Sequence, residues 1–430
     1  MAVLFHHLFR YSPERSLCRN LTCDNIFVIL VKFSDDSRKS AFTNITDGCR
    51  STKVKVRLIC VELIKRILSD KENNFSTGGN ELLSALCKMT RDNSATVQYR
   101  TLLALTEILE GCVIDPNADI MAPGLLQPSL IEVSEMDTSR SSQISKKTNP
   151  DCIGRLSLAD YTMYSEDGSK IIKSFVDGDN ILKEMMNSKN PQTRKYICSL
   201  VKALIVRSII PADDVYLNVL TLGTQDLLQS VRKHSVLVYT KLIVDLDKMS
   251  ITSSLSTSIN EVSKQNIIKT WLMAILMNVN DPEISVREAA TNSLENYLIS
   301  PLIEHANNEI WDSVDLLEPD HLNLFHEKLI DLLKFMKSRD KFNNLQLRAL
   351  IKNTFHQLEM SDGNQIAAWI VIDAISKAFQ DHDINELIIA AFNKYFTEME
   401  SNETKKFAIR AIANVLPKLD EDDKGDLIFR

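Results

Sequence analysis

A six-residue pattern returns along this chain, and its recurrence constrains the fold more than any other feature. It reads apolar residue or Thr, then Arg or Gln, two variable positions, a usually small residue and an apolar one. Copies begin at Val56, Val97, Thr193, Val231, Val286 and Leu345, with a degenerate seventh at Thr404. Successive starts lie 41, 96, 38, 55, 59 and 59 residues apart. Two of those spacings match a helix-pair repeat of roughly 40–47 residues. Such a unit cannot bury its own apolar face, so the copies must stack in chain order.

Local patterning agrees. Ile267, Ile268, Trp271, Leu272, Ile275 and Leu276 follow the rhythm of one helix face, as do Leu322, Phe325, Leu329, Leu332 and Leu333. Within the copies the rhythm continues through Val286, Ala290, Leu294 and Tyr297. Pro191 and Pro282 stand just ahead of the second helices, where a missing N–H costs least. The chain has only 11 Gly and 11 Pro in 430 residues, against about 7% and 5% in ordinary proteins. Sheet-rich folds need more turn residues than that. The expected class is all-α, a HEAT/armadillo-like α-solenoid of stacked antiparallel helix pairs.

The expected organisation is an unassigned helical segment over 1–50, repeats over 51–112, an insertion over 113–170, repeats over 171–420 and a tail over 421–430. The insertion explains the 96-residue spacing. It holds four of the eleven prolines and the run TSRSSQISKKTNP, a composition that cannot bury enough apolar surface to fold. Ser139, Ser141, Ser142 and Ser145 beside basic residues make it a candidate phosphorylation segment. A smaller insertion is expected over Ser250–Ser263. No run of about 18 apolar residues suits a bilayer, and the start makes a poor signal peptide. Eight scattered cysteines, none in the last 230 residues, form no disulfide framework and suggest a reducing compartment.

The copies carry a further resemblance. NPQTRKYICSLVKALIV (190–206), LLQSVRKHSVLVYTKLI (227–243), IIKTWLMAILMNVNDPEISVREAATNSLENYL (267–298) and QIAAWIVIDAISKAF (365–379) occur in that order. With CKMTRDNSATVQYRTLLALTEILEG (87–111) upstream, residues 51–420 resemble the HEAT-repeat D subunit of condensin II. Gln98 stands where that family usually has Arg, and Thr193 where it has Val. Family members are several times longer, so the resemblance implies an internal portion or a truncated form. It implies a non-enzymatic subunit acting in mitotic chromosome condensation in the nucleus. Its implied partners are a kleisin subunit, the SMC ATPase pair and DNA. The rival readings are a HEAT-repeat nuclear transport receptor and a cytoplasmic assembly scaffold.

No catalytic or metal motif competes with a scaffold. Cys18 and Cys23 near His6 and His7 lack a second ligand pair at zinc spacing, and His326-Glu327 lacks the second His of a zincin helix. Gly78-Gly79 is followed by no GK[ST]. No enzyme activity, cofactor, membrane contact or small-molecule substrate is expected. Trp271, Trp369, Phe325 and Phe379 read as core, whereas Trp311, in the turn-like NNEIWDSVDLLEPD, reads as a surface anchor.

The candidate contact surface is a ridge of basic first turns. It comprises Lys53, Lys55, Arg57, Arg100, Arg194, Lys195, Arg232, Lys233 and Arg287, with Lys405, Lys406 and Arg410 farther along. Asp92, Asp226, Asp281 and Asp340 stand five positions before their copies; Ser51, Ser188 and Met399 take that place in three others. Cations at a helix N-terminus oppose the macrodipole. Either the link aspartates compensate, forming a structural ladder that includes Arg287, or an anion binds. The Thr193 copy lacks a link Asp, which makes Arg194 and Lys195 the leading candidates for outside contacts.

Overall fold

The computed structural model describes residues 5, 7, 9–11, 15–71, 78–111, 162, 166–176, 181–252, 261–304, 308–315, 317–339, 343–359, 365–379, 382–399 and 401–419. They are helical, with no strand among them. The chain divides into two compact units, Met1–Pro211 with Ser253–Leu255, and Ala212–Thr252 with Ser256–Arg430. Among the described residues no helix is long and apolar enough to cross a membrane.

The first unit contains α1 (Ser16–Val31), α2 (Asp35–Gly48), α3 (Val54–Ser69), α4 (Gly79–Met89), α5 (Ala95–Gly111), α6 (Glu166–Val176), α7 (Ile181–Met185) and α8 (Pro191–Val206). Helices α1, α3, α5 and α8 pack side by side as one layer, and α2, α4 and α6 form the other. The pattern helices α3, α5 and α8 are thus neighbours, each burying its apolar stripe. In α3 the buried face is Val56, Ile59, Cys60, Leu63, Ile64 and Ile67, the i, i+3, i+4 spacing of a helix seam.

Local chemistry sets the ends. Asn190 caps α8 through the Gln192 N–H at 2.9 Å, with Pro191 in the first turn. The same helix stops in a Schellman turn. Ser208 adopts φ 55°, its N–H bonds Ile205 O, and the Ile209 N–H bonds Leu204 O. Gly78, at φ 90° ahead of α4, fits where a Cβ would lie 2.6 Å from the Phe42 ring.

The second unit contains α9 (Asp214–Thr224), α10 (Gln229–Thr252), α11 (Glu261–Leu276), α12 (Ile284–Leu294), α13 (Ser300–Glu304), α14 (Asn308–Asp315), α15 (Pro319–Ser338), α16 (Asn344–Glu359), α17 (Gln365–Ala378), α18 (His382–Tyr395) and α19 (Asn402–Val415). A π-helical turn, Glu295–Ile299, joins α12 to α13. Pro301 follows it and cannot donate back to Tyr297, which loosens the helix at that point. One layer is α9, α11, α14, α15, α17 and α19; the other is α10, α12 with α13, α16 and α18.

The two 59-residue spacings are long enough to imply divergent or extra helices, and two intervene in place of one: α14 and α15 before the sixth copy, α17 and α18 before the seventh. Three helices make one and a half repeats, so the Thr404 copy falls on α19, which packs on α17 in the layer of first helices. Trp311 is buried in α14 together with Val314, and Leu317 just past the helix is buried too, so the ring is not displayed. Its segment mixes polar and apolar residues because a short helix covers one side of the core. The 113–170 stretch lies outside the described residues except for Thr162 and the start of α6; Ser139, Ser141, Ser142 and Ser145 are all outside them. In the smaller expected insertion, α10 runs on to Thr252 and α11 begins at Glu261.

One link is pH-sensitive. Asp315, at the end of α14, accepts the Ala367 N–H of the first turn of α17 at 2.9 Å. Burial pushes its carboxyl up to about 6, reinforced by the Asp312 charge and opposed by the Ala367 hydrogen bond. A folded-state pKa above the unfolded value of about 3.9 favours the protonated fold. The stabilisation is complete below about pH 4 and is lost as pH rises through about 6. Asp315→Asn keeps the acceptor and removes the charge. The variant is expected to be about 1–2 kcal/mol more stable than the parent at pH 7.5, after allowance for solvent screening, and level with it at about pH 3. Thermal melts at both pH values check this, and a constant difference would refute it.

Candidate functional site

The ridge of first turns is built on one repeated device. Six residues before each pattern Arg lies a link residue whose carbonyl oxygen accepts from the guanidinium Nη1. The pairs are Arg57 with Ser51 at 2.7 Å, Arg194 with Ser188 at 2.6 Å, Arg232 with Asp226 at 2.9 Å, and Arg287 with Asp281. The side chain of that link residue accepts the N–H two positions on. Asp92 takes Ser94, Asp226 takes Leu228 and Asp281 takes Glu283, at 2.7–2.9 Å. Ser51 and Ser188 do the same with hydroxyls, to Lys53 and Asn190. The link is thereby pinned from both sides, and the carbonyl oxygens offset the repulsion between the guanidinium and the positive end of the helix dipole.

Two arginines also form rungs to the next copy. Arg57 Nε lies 2.6 Å from Asp92 Oδ2 and its Nη2 donates to Oδ1 at 2.8 Å. Arg232 repeats this on Asp281, donating from Nε at 2.6 Å and Nη2 at 2.8 Å. The side chains are 12% and 9% exposed in the first rung, 12% and 6% in the second. Burial by itself raises the Asp281 carboxyl. The Arg232 hydrogen bond, the Glu283 amide and the charges of Arg232 and Arg287 outweigh it and hold the group below its ordinary value. Arg232, bonded to that carboxylate, is raised. Asp340, the next expected rung partner, lies outside the described residues.

The predicted contact residues therefore separate. Arg57, Arg194, Arg232 and Arg287 have their guanidinium groups turned into the links, the ladder alternative named for Arg287 and, for Arg57, Arg194 and Arg232, not the anion-contact one. Lys53 and Lys233 are exposed on the same turns, Arg100 is exposed with its guanidinium carbon 5.5 Å from the Tyr99 ring centre, and Lys55 and Lys195 are half-buried. Lys405 and Lys406 belong to α19 in the other layer, and Lys406 pairs with Glu403 at 3.1 Å. Where Gln346 replaces Arg, it exchanges hydrogen bonds with Asn343 at 2.8 and 3.1 Å, a capping box in place of the clamp.

A second polar constellation, absent from the sequence reading, joins α15, α17 and α19. Asp373 is fully buried in α17. Its Oδ1 accepts from Asn414 Nδ2 at 2.7 Å, while His326 Nε2 lies 2.8 Å and Arg410 Nε 3.5 Å from Oδ2 without a hydrogen bond to it. Arg410 Nη2 lies 3.3 Å from His326 Nδ1. Lys418 donates to Ser376 O at 2.6 Å and Phe379 O at 3.3 Å, closing the C-terminal turn of α17. Burial, with the Lys337 charge nearby, lowers the Lys418 ammonium.

Cys18 is exposed on α1, whereas Cys23 is buried with its thiol pushed up to about 12 by desolvation, so the two point apart. Among the described residues no three His, Cys, Asp or Glu side chains converge to hold a metal.

No family model matches this sequence, and no curated protein matches it. Among solved structures, importin beta in an ammonium sulfate condition aligns over 96% of this chain and 50% of its own, at 9% identity and TM-score 0.38. Kap95p bound to RanGDP aligns over 97% and 55%, at 10% identity and TM-score 0.28. An engineered protein aligns over 96% and 98%, at 12% identity and TM-score 0.28. The helix-pair architecture rests on the packing described above.

Proposed function

We propose that this chain is a non-enzymatic scaffold whose stacked helix pairs hold other macromolecules together. More specifically, we read it as a regulatory subunit of a condensin-type complex, gripping a kleisin segment and DNA in the nucleus and on mitotic chromosomes. The order of its pattern copies supports that reading. The observation that carries it is the clamp: the pattern arginines and link residues satisfy one another, which leaves the lysines of the same turns for outside anions. Lys53 and Lys195 in the first unit and Lys233 in the second are the residues we assign to phosphate contact.

The triple variant Lys53→Glu, Lys195→Glu, Lys233→Glu is expected to bind duplex DNA more weakly. Its plot of log affinity against log salt should be flatter by about 2–3, one counterion per lost contact. Arg194 is left intact because it holds Ser188. Equal affinities for parent and variant at low and high salt would end the DNA assignment. Affinity purification from mitotic cells tests the larger reading. An SMC pair with a kleisin supports it; a small GTPase with cargo, or a phosphatase or tubulin partner, would replace it with a transport receptor or an assembly scaffold.

A further inference from the structure

We propose that Tyr99 and Tyr196, with Arg100, Lys195 and Lys53 around them, form a stacking site for the unpaired bases of single-stranded DNA. The proposal rests on the phosphate assignment of Lys53 and Lys195 and gives the first unit a preference among nucleic acids. It starts from a missing rung. Between α3 and α5 the first turns are tied by Arg57 and Asp92. Between α5 and α8 neither member exists, because Gln98 stands in the Arg position and Ser188 in the Asp position. Two rings occupy that step instead. Tyr99 and Tyr196 lie with their centres 6.2 Å apart and their planes 19° from parallel.

The helices bring cations to the rings. Asn190 Nδ2 donates to Ala95 O at 3.5 Å, which places the starts of α8 and α5 side by side. Arg100 follows Tyr99 on α5, and its guanidinium carbon lies 5.5 Å from that ring centre. Lys195 adjoins Tyr196 on α8. Lys53 is exposed at the start of α3, which the Arg57–Asp92 rung ties to the link ahead of α5. Carboxylates on these helices do not offset that charge. Helix α8 has none, and the first in α5 is Glu107, eight residues past Tyr99. Glu107 pairs with Lys65 at 2.9 Å, Glu110 with Lys202 at 2.6 Å, and Asp92 is held in its rung.

Rings flanked by cations fit an unpaired strand. In a duplex the base faces are covered by their neighbours, so tyrosines gain nothing from them. In a single strand every base offers a π face, and stacking on aromatic side chains tolerates any sequence. Near-parallel planes let two bases lie on the rings without the backbone reversing between them, while Arg100, Lys195 and Lys53 take the phosphates. The guanidinium beside Tyr99 adds a second flat surface for a base. Both rings are half-buried, so they are held before the strand arrives and little order remains to be imposed. An acidic peptide would use the cations and draw nothing from the shared tilt of the rings.

The test is an anisotropy titration of the full chain with three labelled probes: an oligothymidylate, an abasic strand with the same number of phosphates, and a duplex. We expect the oligothymidylate to bind at least about tenfold more tightly than the abasic strand, the scale of one or two stacked bases. Tyr99→Leu/Tyr196→Leu keeps apolar bulk and should erase most of that difference, leaving abasic and duplex binding unchanged. Tyr99→Phe/Tyr196→Phe keeps the rings and should bind like the parent. Lys53→Glu/Lys195→Glu should weaken all three probes and reduce their salt dependence. Circular dichroism and retained duplex binding show that the leucine variant folds, and the parent alone decides between strands with and without bases. Equal affinity of the parent for those two strands would overturn the stacking site and leave the phosphate assignment standing. So would a leucine variant that binds oligothymidylate like the parent. Failure of all three probes to bind would remove both assignments.

Discussion

Asp373→Ala is expected to lower the stability of the second unit by about 2–4 kcal/mol, the cost of leaving buried polar neighbours without their acceptor. Three helices meet at this carboxylate. Its removal takes the acceptor from the Asn414 amide and the neighbouring oxygen from the buried His326 ring, while Arg410, 38% exposed, still reaches water. At roughly 2–4 °C per kcal/mol for a unit of 150–250 residues, the melting temperature falls by about 10 °C. Asp373→Asn, which keeps the shape and one acceptor, should lose markedly less. Replacing His326, Asp373 and Asn414 together with apolar residues should recover part of the loss, because the donor that then remains, Arg410, is 38% exposed and can turn to water. Thermal and urea melts distinguish these cases. An alanine variant melting within about 2 °C of the parent would mean that water reaches the site.

Asp281→Ala is the second large effect, about 3–5 kcal/mol. The aspartate has two roles that fail together: it accepts both donors of Arg232 and also the Glu283 N–H ahead of α12. A cap alone is worth about 1 kcal/mol. A double-mutant cycle with Arg232→Met separates the rung from the cap. If the rung dominates, Arg232→Met/Asp281→Ala should be more stable than Asp281→Ala, since the unpaired guanidinium is gone. Arg232 also holds the Asp226 and Leu227 carbonyls, so Arg232→Met is measured alone beside these variants, and a coupling energy near zero would assign the loss to the cap. The same cycle on Arg57 and Asp92 should give the same sign, because the geometry recurs.

Much of this was legible in the chain. The Val56, Val97, Thr193, Val231 and Val286 copies each begin a helix of the expected layer, and Pro191 starts α8 as placed. Asp92 and Asp281 cap and pair, the compensating alternative for cations at a helix N-terminus. A signal for the buried network was present but unused. Asp373 is the lone charge within AAWIVIDAIS, a stretch too apolar to offer it a solvated face. Its partners lie 47 residues upstream and 37 and 41 residues downstream, at His326, Arg410 and Asn414, and no local pattern connects them. Trp311 was misjudged because eight residues are too short for periodicity to outweigh a polar composition.

The sequence by itself determined that the chain is helical, where most helices begin and which faces they bury, because hydrophobic period and capping act within a few residues. The tertiary structure alone decided that the seventh copy lies in the opposite layer, that the pattern arginines turn inward, and that Tyr99 meets Tyr196. Those outcomes depend on which groups meet across the links and between layers, and such meetings are fixed by packing in space, not by neighbours along the chain.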